Sequence, residues 1–431
     1  MDSEDKVQEK QVKKGTPKGA WPVMLAVFLG GICMAFAQYK VTGVLASPDP
    51  NAPSIARDLV LDNATAGWVL SLFTLVGIFL AFPAVALIKK WGIKVGGLVA
   101  LAFAIVGGLL GIFAGDAVGL IVSRIIEGFG LGLIGVIAPS AIAMWFPIEK
   151  RGAPMGIWSS WQMWGICGSF FFGIPITNAF GGAFDYSWKA LWVAGIILMI
   201  IAIVVYALVV KVPSADQNYA DLNEGSEDGK GVSIFAALKY GNAWIMAIAG
   251  LAFGISNSTV IAWISPFWQA TGTADAGMAN NMTGAMYMIE CFGCIVFGFV
   301  LNAIRHRRRF MVVDSLIWAI AFFLMFRVAG IPGAIIMLII YSVVESAYCA
   351  AMWTLCPQAV PDPRAGASMI ALFTVAVDIG MMLGSPLGGW FIDIFGDFGA
   401  LAYMVCGAQL VATVCYALVK MYNEKGEVQS I

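Results

Sequence analysis

Charged side chains are scarce in this sequence. Of its 431 residues, 12% are Asp, Glu, Lys or Arg and 60% are hydrophobic, whereas a soluble domain carries about 25% charged residues. Lipid is the solvent that tolerates so little charge. The net charge of −1 gives no basic excess that would attract nucleic acid. The composition therefore predicts an integral membrane protein without a nucleic-acid partner.

The residue patterns of pumps and metalloenzymes are also missing. The sequence has no Gly-x-x-x-x-Gly-Lys-Ser/Thr loop, which excludes a primary pump with its own ATPase. It has one histidine, His306, in a basic segment, so an intramembrane proton relay would have to use carboxylates. Cys291-x-x-Cys294 lacks a second pair or a nearby histidine, and we interpret the eight cysteines as apolar packing residues. We expect no enzyme activity, no metal site and no cofactor.

Apolar runs of about 20 residues, the length that spans a bilayer, recur twelve times. We predict spans at 21–46, 64–88, 95–114, 118–144, 153–178, 189–211, 242–268, 279–303, 310–328, 332–356, 366–391 and 398–421. The polar start of the chain lacks a signal-peptide pattern, so the first run is expected to stay as a membrane helix. The predicted organisation is a tail 1–20, a six-helix bundle 21–211, a linker 212–241, a second bundle 242–421 and a tail 422–431.

Lysine and arginine are distributed unevenly between the two sets of loops. With the N-terminus inside, twenty of them lie in cytoplasmic segments and three, Arg57, Lys189 and Arg327, in outer ones. Positive charge marks the cytoplasmic side of a membrane protein. The sequence therefore predicts that both termini are cytoplasmic, in a multi-pass protein of the inner membrane.

The two halves resemble each other in sequence. Pro147 to Met155 (PIEKRGAPM) matches Pro361 to Met369 (PDPRAGASM), and each follows the fourth span of its half. Two further matches have nearly the same offset of 214 to 216 residues. Parallel repeats of this kind are typical of secondary transporters, so we predict two pseudo-symmetric halves.

Several motifs resemble those of the major facilitator superfamily. Arg124-Ile-Ile-Glu127-Gly128-Phe-Gly130-Leu-Gly132 is similar to its fourth-helix pattern Arg-x-x-x-Gly-x-Gly. Val85 to Lys94 (VALIKKWGIK) keeps only Lys90, Gly92 and Lys94 of the loop between the second and third helices, and Lys89 replaces the usual acid. The resemblance implies a secondary transporter that is a monomer. In the family this acid and a base hold helices against one another, so with Lys89 in place of the acid that contact is altered or absent. We assign structural or gating roles to Glu127, Gly128, Lys90, Gly92 and Arg151.

A more specific resemblance points to a substrate class. Met155 to Gly165 (MGIWSSWQMWG) and Gly254 to Gly272 are similar to the cyanate/nitroimidazole porter group, and the Phe-Pro-x-x-Lys-Arg-Gly loop is similar to oxalate:formate porters. The resemblance implies a small anionic or polar substrate that enters from one side of the lipid bilayer and leaves on the other.

Charges within the spans are the candidate functional groups, because a charge at bilayer depth costs at least about 2.5–3.5 kcal/mol and usually faces a cavity. In the first half, Arg124 binds an anion, couples substrate to protons, or forms a structural pair with Glu127. Lys40 either contacts substrate or extends to the interface. Polar and aromatic residues near them add to the candidate substrate site. The predicted substrate-binding residues are Lys40, Arg124, Trp161, Gln162 and Asn257.

Three acids lie in the middle of spans in the second half. Glu290, Glu345 and Asp378 have no base beside them in the sequence. They either take up coupling protons, donate hydrogen bonds as neutral acids, or pair with Arg124 or Lys40. The sequence favours a proton-coupled symporter or an exchanger of a small anion. The alternative is a proton antiporter that exports lipophilic cations, whose amines these acids would bind.

Overall fold

The chain folds into a bundle of long helices. The structure is a computed structural model that describes residues 16–147, 150–214, 218–219, 236–304, 306–362, 365–422 and 427–428. Its α-helices are α1 (Ala20–Tyr39), α2 (Ile55–Asp58), α3 (Asn63–Phe113), α4 (Ala117–Trp145), α5 (Gly152–Ser159), α6 (Trp161–Phe180), α7 (Lys189–Val209), α8 (Gly241–Ala270), α9 (Ala276–Ala303), α10 (Arg307–Met325), α11 (Ile331–Leu355), α12 (Gly366–Phe395) and α13 (Ala400–Leu418). Short 3-10 turns cover Thr42–Val44, Gly181–Ala183, Ala236–Lys239 and Cys356–Ala359. Most of the predicted linker and of the two predicted tails lies outside the described residues.

Eleven segments of the described chain are long and apolar enough to cross a membrane. Helix α3 supplies two of them, Asn63–Leu80 and Lys90–Phe113. The segment predicted as a span at 310–328 is helix α10, which is too charged for that criterion because Arg308, Arg309 and Asp314 fall in every 18-residue window of it. The all-helical membrane architecture is thus confirmed, and the count of twelve spans stays a prediction.

Three details differ from the predictions. The second and third predicted spans are two spans, as predicted, but no loop separates them: they meet within α3 at a helix break at Gly92 (φ 74°, ψ 169°). Backbone of this kind is open essentially to glycine only. The fifth predicted span is one span with an irregular turn at Ser160, where α5 ends and α6 begins with helical φ/ψ retained. The first α-helix ends at Tyr39, before the predicted 46. Elsewhere the helix ends lie within a few residues of the predictions.

Small residues let the helices approach closely in both halves. A Cβ added at Gly128 of α4 would lie 2.3 Å from the carbonyl oxygen of Phe73 in α3. One added at Gly254 of α8 would lie 2.3 Å from the carbonyl oxygen of Val377 in α12. Contacts of this type are common between membrane helices. Gly128, which the sequence assigns to a structural or gating role, therefore fixes the distance between α3 and α4.

The two ends of the bundle are distinct. Gly19, Trp145 and Lys211 meet at the end where α1 begins, and Asn242 binds the Lys420 carbonyl oxygen (2.7 Å) where α13 ends. We call this end the terminal face and the opposite end the distal face. Both described chain ends lie at the terminal face, as expected for an even number of crossings.

The two halves are joined at the distal face. Asp393 of α12 accepts hydrogen bonds from the Asn63 backbone N–H (3.2 Å), the Asn63 side-chain amide (2.7 Å) and the Ala64 N–H (3.0 Å) at the start of α3. Gly67 also packs on the backbone of Pro386. The positive end of the helix dipole favours a carboxylate at this position. These contacts join α12 to the start of α3 at the distal face.

Candidate functional site

A buried ionic cluster lies in the first half, where α1 ends. Glu127 of α4 binds the Lys40 ammonium through Oε1 and the Arg124 guanidinium through Oε2 (2.6 Å). All three side chains are at most 2% exposed. With every group in its usual ionised form, two cations and one carboxylate give the cluster a formal charge of +1. A charge so deeply buried is costly unless it has a function or a bound counterion.

Arg124 donates most of its hydrogen bonds to backbone carbonyl oxygens. Its guanidinium donates to the carbonyl oxygens of Ala37 (2.6 Å) and Gln38 in α1 and of Val69 (3.1 Å) in α3. The last carbonyls of a helix have no partner within that helix. Arg124 satisfies two of these at the end of α1, and its guanidinium also lies 4.5 Å from the ring centre of Phe73. In this structure it ties α1, α3 and α4 together.

Lys40 has fewer fixed partners. Its ammonium binds Glu127 and lies 4.6 Å from the ring centre of Trp192 on α7. The side chain therefore points into the bundle and not to the membrane interface, which was the alternative that the sequence left open. Of the two buried cations, Lys40 keeps more free hydrogen-bonding capacity, since an ammonium has three donors.

A small cavity separates the halves beside this cluster. Its volume of about 10 Å³ is close to that needed for one water. Its lining residues come from α1, α3, α8 and α12 and are Gln38, Tyr39, Leu70, Ser71, Thr74, Ser258, Ile261 and Met381. Gln38 Nε2 donates to Thr74 Oγ1 (3.3 Å), while Gln38 Oε1 and Ser71 Oγ are buried without a hydrogen-bond partner. These orphaned polar atoms make the cavity a candidate polar binding site.

The acids of the second half divide between two places. Asp378 of α12 is half-buried and lies near Tyr39, a residue of the cavity wall. Glu290 of α9 and Glu345 of α11 are buried and are electrostatic neighbours of each other. In the described part of the chain, Lys40 and Arg124 form ion pairs with Glu127 and not with these acids.

Asn257 is positioned by one of these acids. Its side-chain amide donates to Glu345 Oε1, although the sequence assigned Asn257 to the substrate. The hydroxyls of Tyr287 and Tyr341, which the sequence analysis did not single out, are electrostatic neighbours of both glutamates and are buried without a hydrogen-bond partner. The spacing of Tyr287 and Glu290, three residues apart on one helix, is the sequence signal that could have indicated them.

Trp161 and Gln162 lie apart from the cavity. Trp161 is buried and stacks on Trp158 (5.1 Å between ring centres), beside Gly31 of α1. Gly31 precedes Lys40 by nine residues, about 13 Å along a helix. Gln162 is half-buried at the start of α6. Both residues are therefore closer to the terminal face than the ionic cluster is.

The remaining assigned residues lie near the terminal face. Lys90 is exposed on α3 and Gly92 forms its kink. The Arg151 side chain donates to the carbonyl oxygens of Phe146 (2.9 Å) and Ala143 (2.6 Å) at the end of α4. Arg151 thus stabilises the turn between α4 and α5, in the segment that repeats in the second half.

Known proteins provide an independent comparison. The family model described as Major Facilitator Superfamily matches residues 27–369 and also residues 273–430. An uncharacterized MFS-type transporter of Bacillus subtilis (strain 168), YcnB, is 27% identical over 213 residues, which are 48% of this chain and 42% of that protein. The chain thus spans about two fifths of the length of the curated relatives it matches.

Solved structures match over nearly the whole chain. A bacterial homolog of the human lysosomal transporter Spinster, in an inward-facing and unoccupied conformation, has a TM-score of 0.74 at 16% identity and covers 94% of this chain and 96% of its own. A D-xylose-proton symporter has a TM-score of 0.72 at 16% identity and covers 96% of this chain and 100% of its own. At these identities the likeness shows the fold. From the family match and the helical bundle, the chain belongs to the Major Facilitator Superfamily and is a multi-pass membrane protein.

Proposed function

We propose that the protein is a secondary active transporter that moves a small anionic or polar solute across the inner membrane by alternating access. It acts as a monomer of twelve spans in two six-helix halves, 21–211 and 242–421, with both termini cytoplasmic. Its transport is proton-coupled symport or anion exchange. The observation that carries this proposal is the buried positive charge of the Lys40–Glu127–Arg124 cluster beside the cavity between the halves.

The charge count favours an anion. A buried site with one excess positive charge attracts a negative ligand and repels a cation. Gln38 and Tyr39 line the cavity and directly precede Lys40 in the chain. A small movement of the end of α1 would therefore bring the Lys40 ammonium to a ligand in the cavity.

The roles of the two cations differ. Arg124 has four hydrogen bonds to protein oxygens, three of them to backbone carbonyls, so it holds α1 and Glu127 in place and contributes charge at a distance. Lys40 is the cation that contacts the anion. Other residues contact the solute at other stages of the transport cycle, when the solute moves between the cavity and the terminal face. These residues are Asn257, Trp161 and Gln162.

The acids of the second half provide proton coupling in this scheme. Asp378 lies near Tyr39, which lines the cavity. Glu290 and Glu345 are more deeply buried, within the second half. Proton and solute binding are then linked, so that each changes the affinity for the other.

Thermal unfolding with a ligand panel tests the substrate class. The panel contains formate, oxalate, cyanate, nitrate, other mono- and dicarboxylates, D-xylose and lipophilic amines, each added to the full-length protein in detergent. A ligand that binds only the folded state stabilises it by about 2.7 kcal/mol at one hundred times its Kd. We expect a small anion to raise the unfolding temperature of the wild type and to have no effect on Lys40→Met.

Lys189→Met is the matched control. Lys189 is also a buried lysine beside aromatic rings, 5.3 Å from the ring centre of Tyr186, but it belongs to the start of α7 at the distal face. This variant should respond to the anion as the wild type does. Stabilisation by amines and not by anions would contradict the proposal and favour the exporter of lipophilic cations, and stabilisation by D-xylose alone would favour a neutral sugar.

A further inference from the structure

We propose that Glu290 and Glu345 form a carboxyl pair that keeps one proton and takes up a second, and that the second proton acts on the transport path through Asn257. The use of the pair for coupling rests on the transport function proposed above. Its proton chemistry does not, because it follows from the contacts of the pair itself.

The pair is buried without a compensating cation. Glu290 and Glu345 are 1% and 3% exposed, and in the described part of the chain no ion pair reaches either of them. The titratable groups near them in the described chain are Tyr287, Cys291 and Cys294 on α9 and Tyr341 and Cys349 on α11, with Tyr39 and Cys167 behind Tyr287 and Asp314 behind Cys349. None of these is a base that is positively charged at neutral pH. Two adjacent carboxylates cannot both stay ionised in such surroundings.

Unsatisfied oxygens show where the first proton belongs. Glu290 Oε1 and Glu345 Oε2 are buried and have no hydrogen-bond partner. Ionised carboxylates only accept hydrogen bonds, so these two neighbouring side chains can bond to each other only when one of them carries a proton. A proton held by the pair thus gives it a donor and removes one negative charge.

The amide of Asn257 distinguishes the two acids. It donates to Glu345 Oε1, and a donor stabilises an acceptor more when the acceptor is ionised. The one-proton state therefore has a neutral Glu290 and an ionised Glu345. The second proton binds Glu345, and the bond from Asn257 changes from a charge-assisted one to a weaker neutral one.

Asn257 connects this change to the cavity. It precedes Ser258 on α8, and Ser258 is part of the cavity wall. On the other side of the pair, the ring of Tyr287 stacks on Phe170 of α6 in the first half (6.4 Å between ring centres, 7° between planes). Proton uptake by Glu345 thus loosens a contact between α11 and a helix of the cavity wall, at a place where the two halves touch.

Infrared spectroscopy of the full-length protein in lipid tests the pair without a transport substrate. The carbonyl absorption of protonated carboxylic acids is recorded from alkaline to acidic pH in the wild type, Glu290→Gln, Glu345→Gln and Asp314→Asn. Asp314 is the control because it is another buried acid with an unpartnered oxygen, on α10. We expect one component that persists at alkaline pH and a second that grows on acidification. Glu290→Gln should lose the component that persists at alkaline pH and keep the one that grows on acidification. Glu345→Gln should lose the growing component, while Asp314→Asn keeps both components.

Two further measurements keep the test decisive. Carbon-13 labelling of glutamate in the wild type should shift both components, even if a variant does not fold. In Asn257→Ala, loss of the donor to Glu345 should let the two-proton form persist to more alkaline pH. Components that do not shift with the label, or that survive in both Glu→Gln variants, would refute the pair. Loss of the absorption when choline chloride is replaced by sodium chloride at constant pH would show a sodium site instead.

If the pair is confirmed and no anion stabilises the protein, the proposed substrate class fails and the proton chemistry stands. If an anion binds and the pair is refuted, the transporter proposal stands and its coupling residue must be Asp378 or none of the three.

Discussion

The buried cluster of Lys40, Arg124 and Glu127 leads to a prediction about stability that depends only on counting charge. Replacing Glu127 with Gln raises the uncompensated charge from one to two and leaves both cations without their shared partner. Removing one member of a buried ion pair typically costs 3–5 kcal/mol. Lys40→Met instead leaves the neutral Arg124–Glu127 pair in place.

The expected cost of Lys40→Met is smaller for a physical reason. The methionine fills the same apolar space against Trp192 and removes the surplus charge. The remaining loss is the hydrogen bond to Glu127 Oε1, for which an unsatisfied acceptor costs about 1–3 kcal/mol. Glu127→Gln should therefore destabilise the protein by about 2–3 kcal/mol more than Lys40→Met does.

Intrinsic tryptophan fluorescence during heating, in one detergent at one pH, ranks the variants by apparent unfolding temperature. The order expected is wild type, Lys40→Met, Glu127→Gln. The double variant should be no worse than Glu127→Gln alone, because it removes one of the two repelling cations. Glu127→Asp, which keeps the charge, should recover part of the loss. If Lys40→Met is as unstable as Glu127→Gln, Lys40 is not a surplus charge and the electrostatic basis for an anion site fails.

Two other features give predictions of the same kind. Asp393→Ala removes three hydrogen bonds to the start of α3 and the charge at its dipole. At an exposed site these are together worth about 1–2 kcal/mol, so hydrogen exchange in the first turns after Asn63 should rise about 5- to 30-fold. Asp397→Ala, at the same face, should leave that exchange unchanged. A rise of equal size in both variants would show that the effect is one of general surface charge. Gly92→Ala should lower the unfolding temperature, because the positive φ at Gly92 costs a residue with a side chain about 1–3 kcal/mol. Gly135→Ala, in open space within α4, should have little effect. Equal stability of the two glycine variants would show that the kink relaxes without cost.

Helix positions were predictable from the sequence because each apolar run had to satisfy its own backbone within lipid. The end of α4 was predicted at 144 and lies at Trp145. The separate spans in α3 were predicted correctly, and Ala153–Ala183 is one span as predicted. What the sequence did not indicate is that helical backbone follows the second span as far as the break at Gly92, where Lys89 and Lys90 suggested a loop, and that α5 and α6 meet at Ser160, which no proline or long polar stretch marks.

The candidate site was predictable in its residue types and much less in its partners. Buried charges stand out in an apolar sequence, so Lys40, Arg124, Glu290 and Glu345 were identified at once. Their contacts join residues up to 88 positions apart, and several are made to backbone oxygens, which carry no sequence signal. Arg124 is the clearest case: the sequence left its pair with Glu127 open as an alternative, but it did not indicate the hydrogen bonds from Arg124 to backbone oxygens of α1 and α3.

The separation of charge between the halves has a consequence for coupling. The first half holds an excess cation whose partner, Glu127, is fixed by Arg124. The second half holds carboxyls that no cation neutralises within the described chain. An anion bound near Lys40 adds negative charge to the cavity, and Asp378 lies near Tyr39 in the wall of that cavity. In a low-dielectric interior this added negative charge raises the affinity of the second half for protons. Linkage of solute and proton therefore needs no direct contact between them. Under the proposed function it needs only that Tyr39 and the cavity keep the two charges close, and this arrangement of charge is the basis for proposing an anion and not an amine.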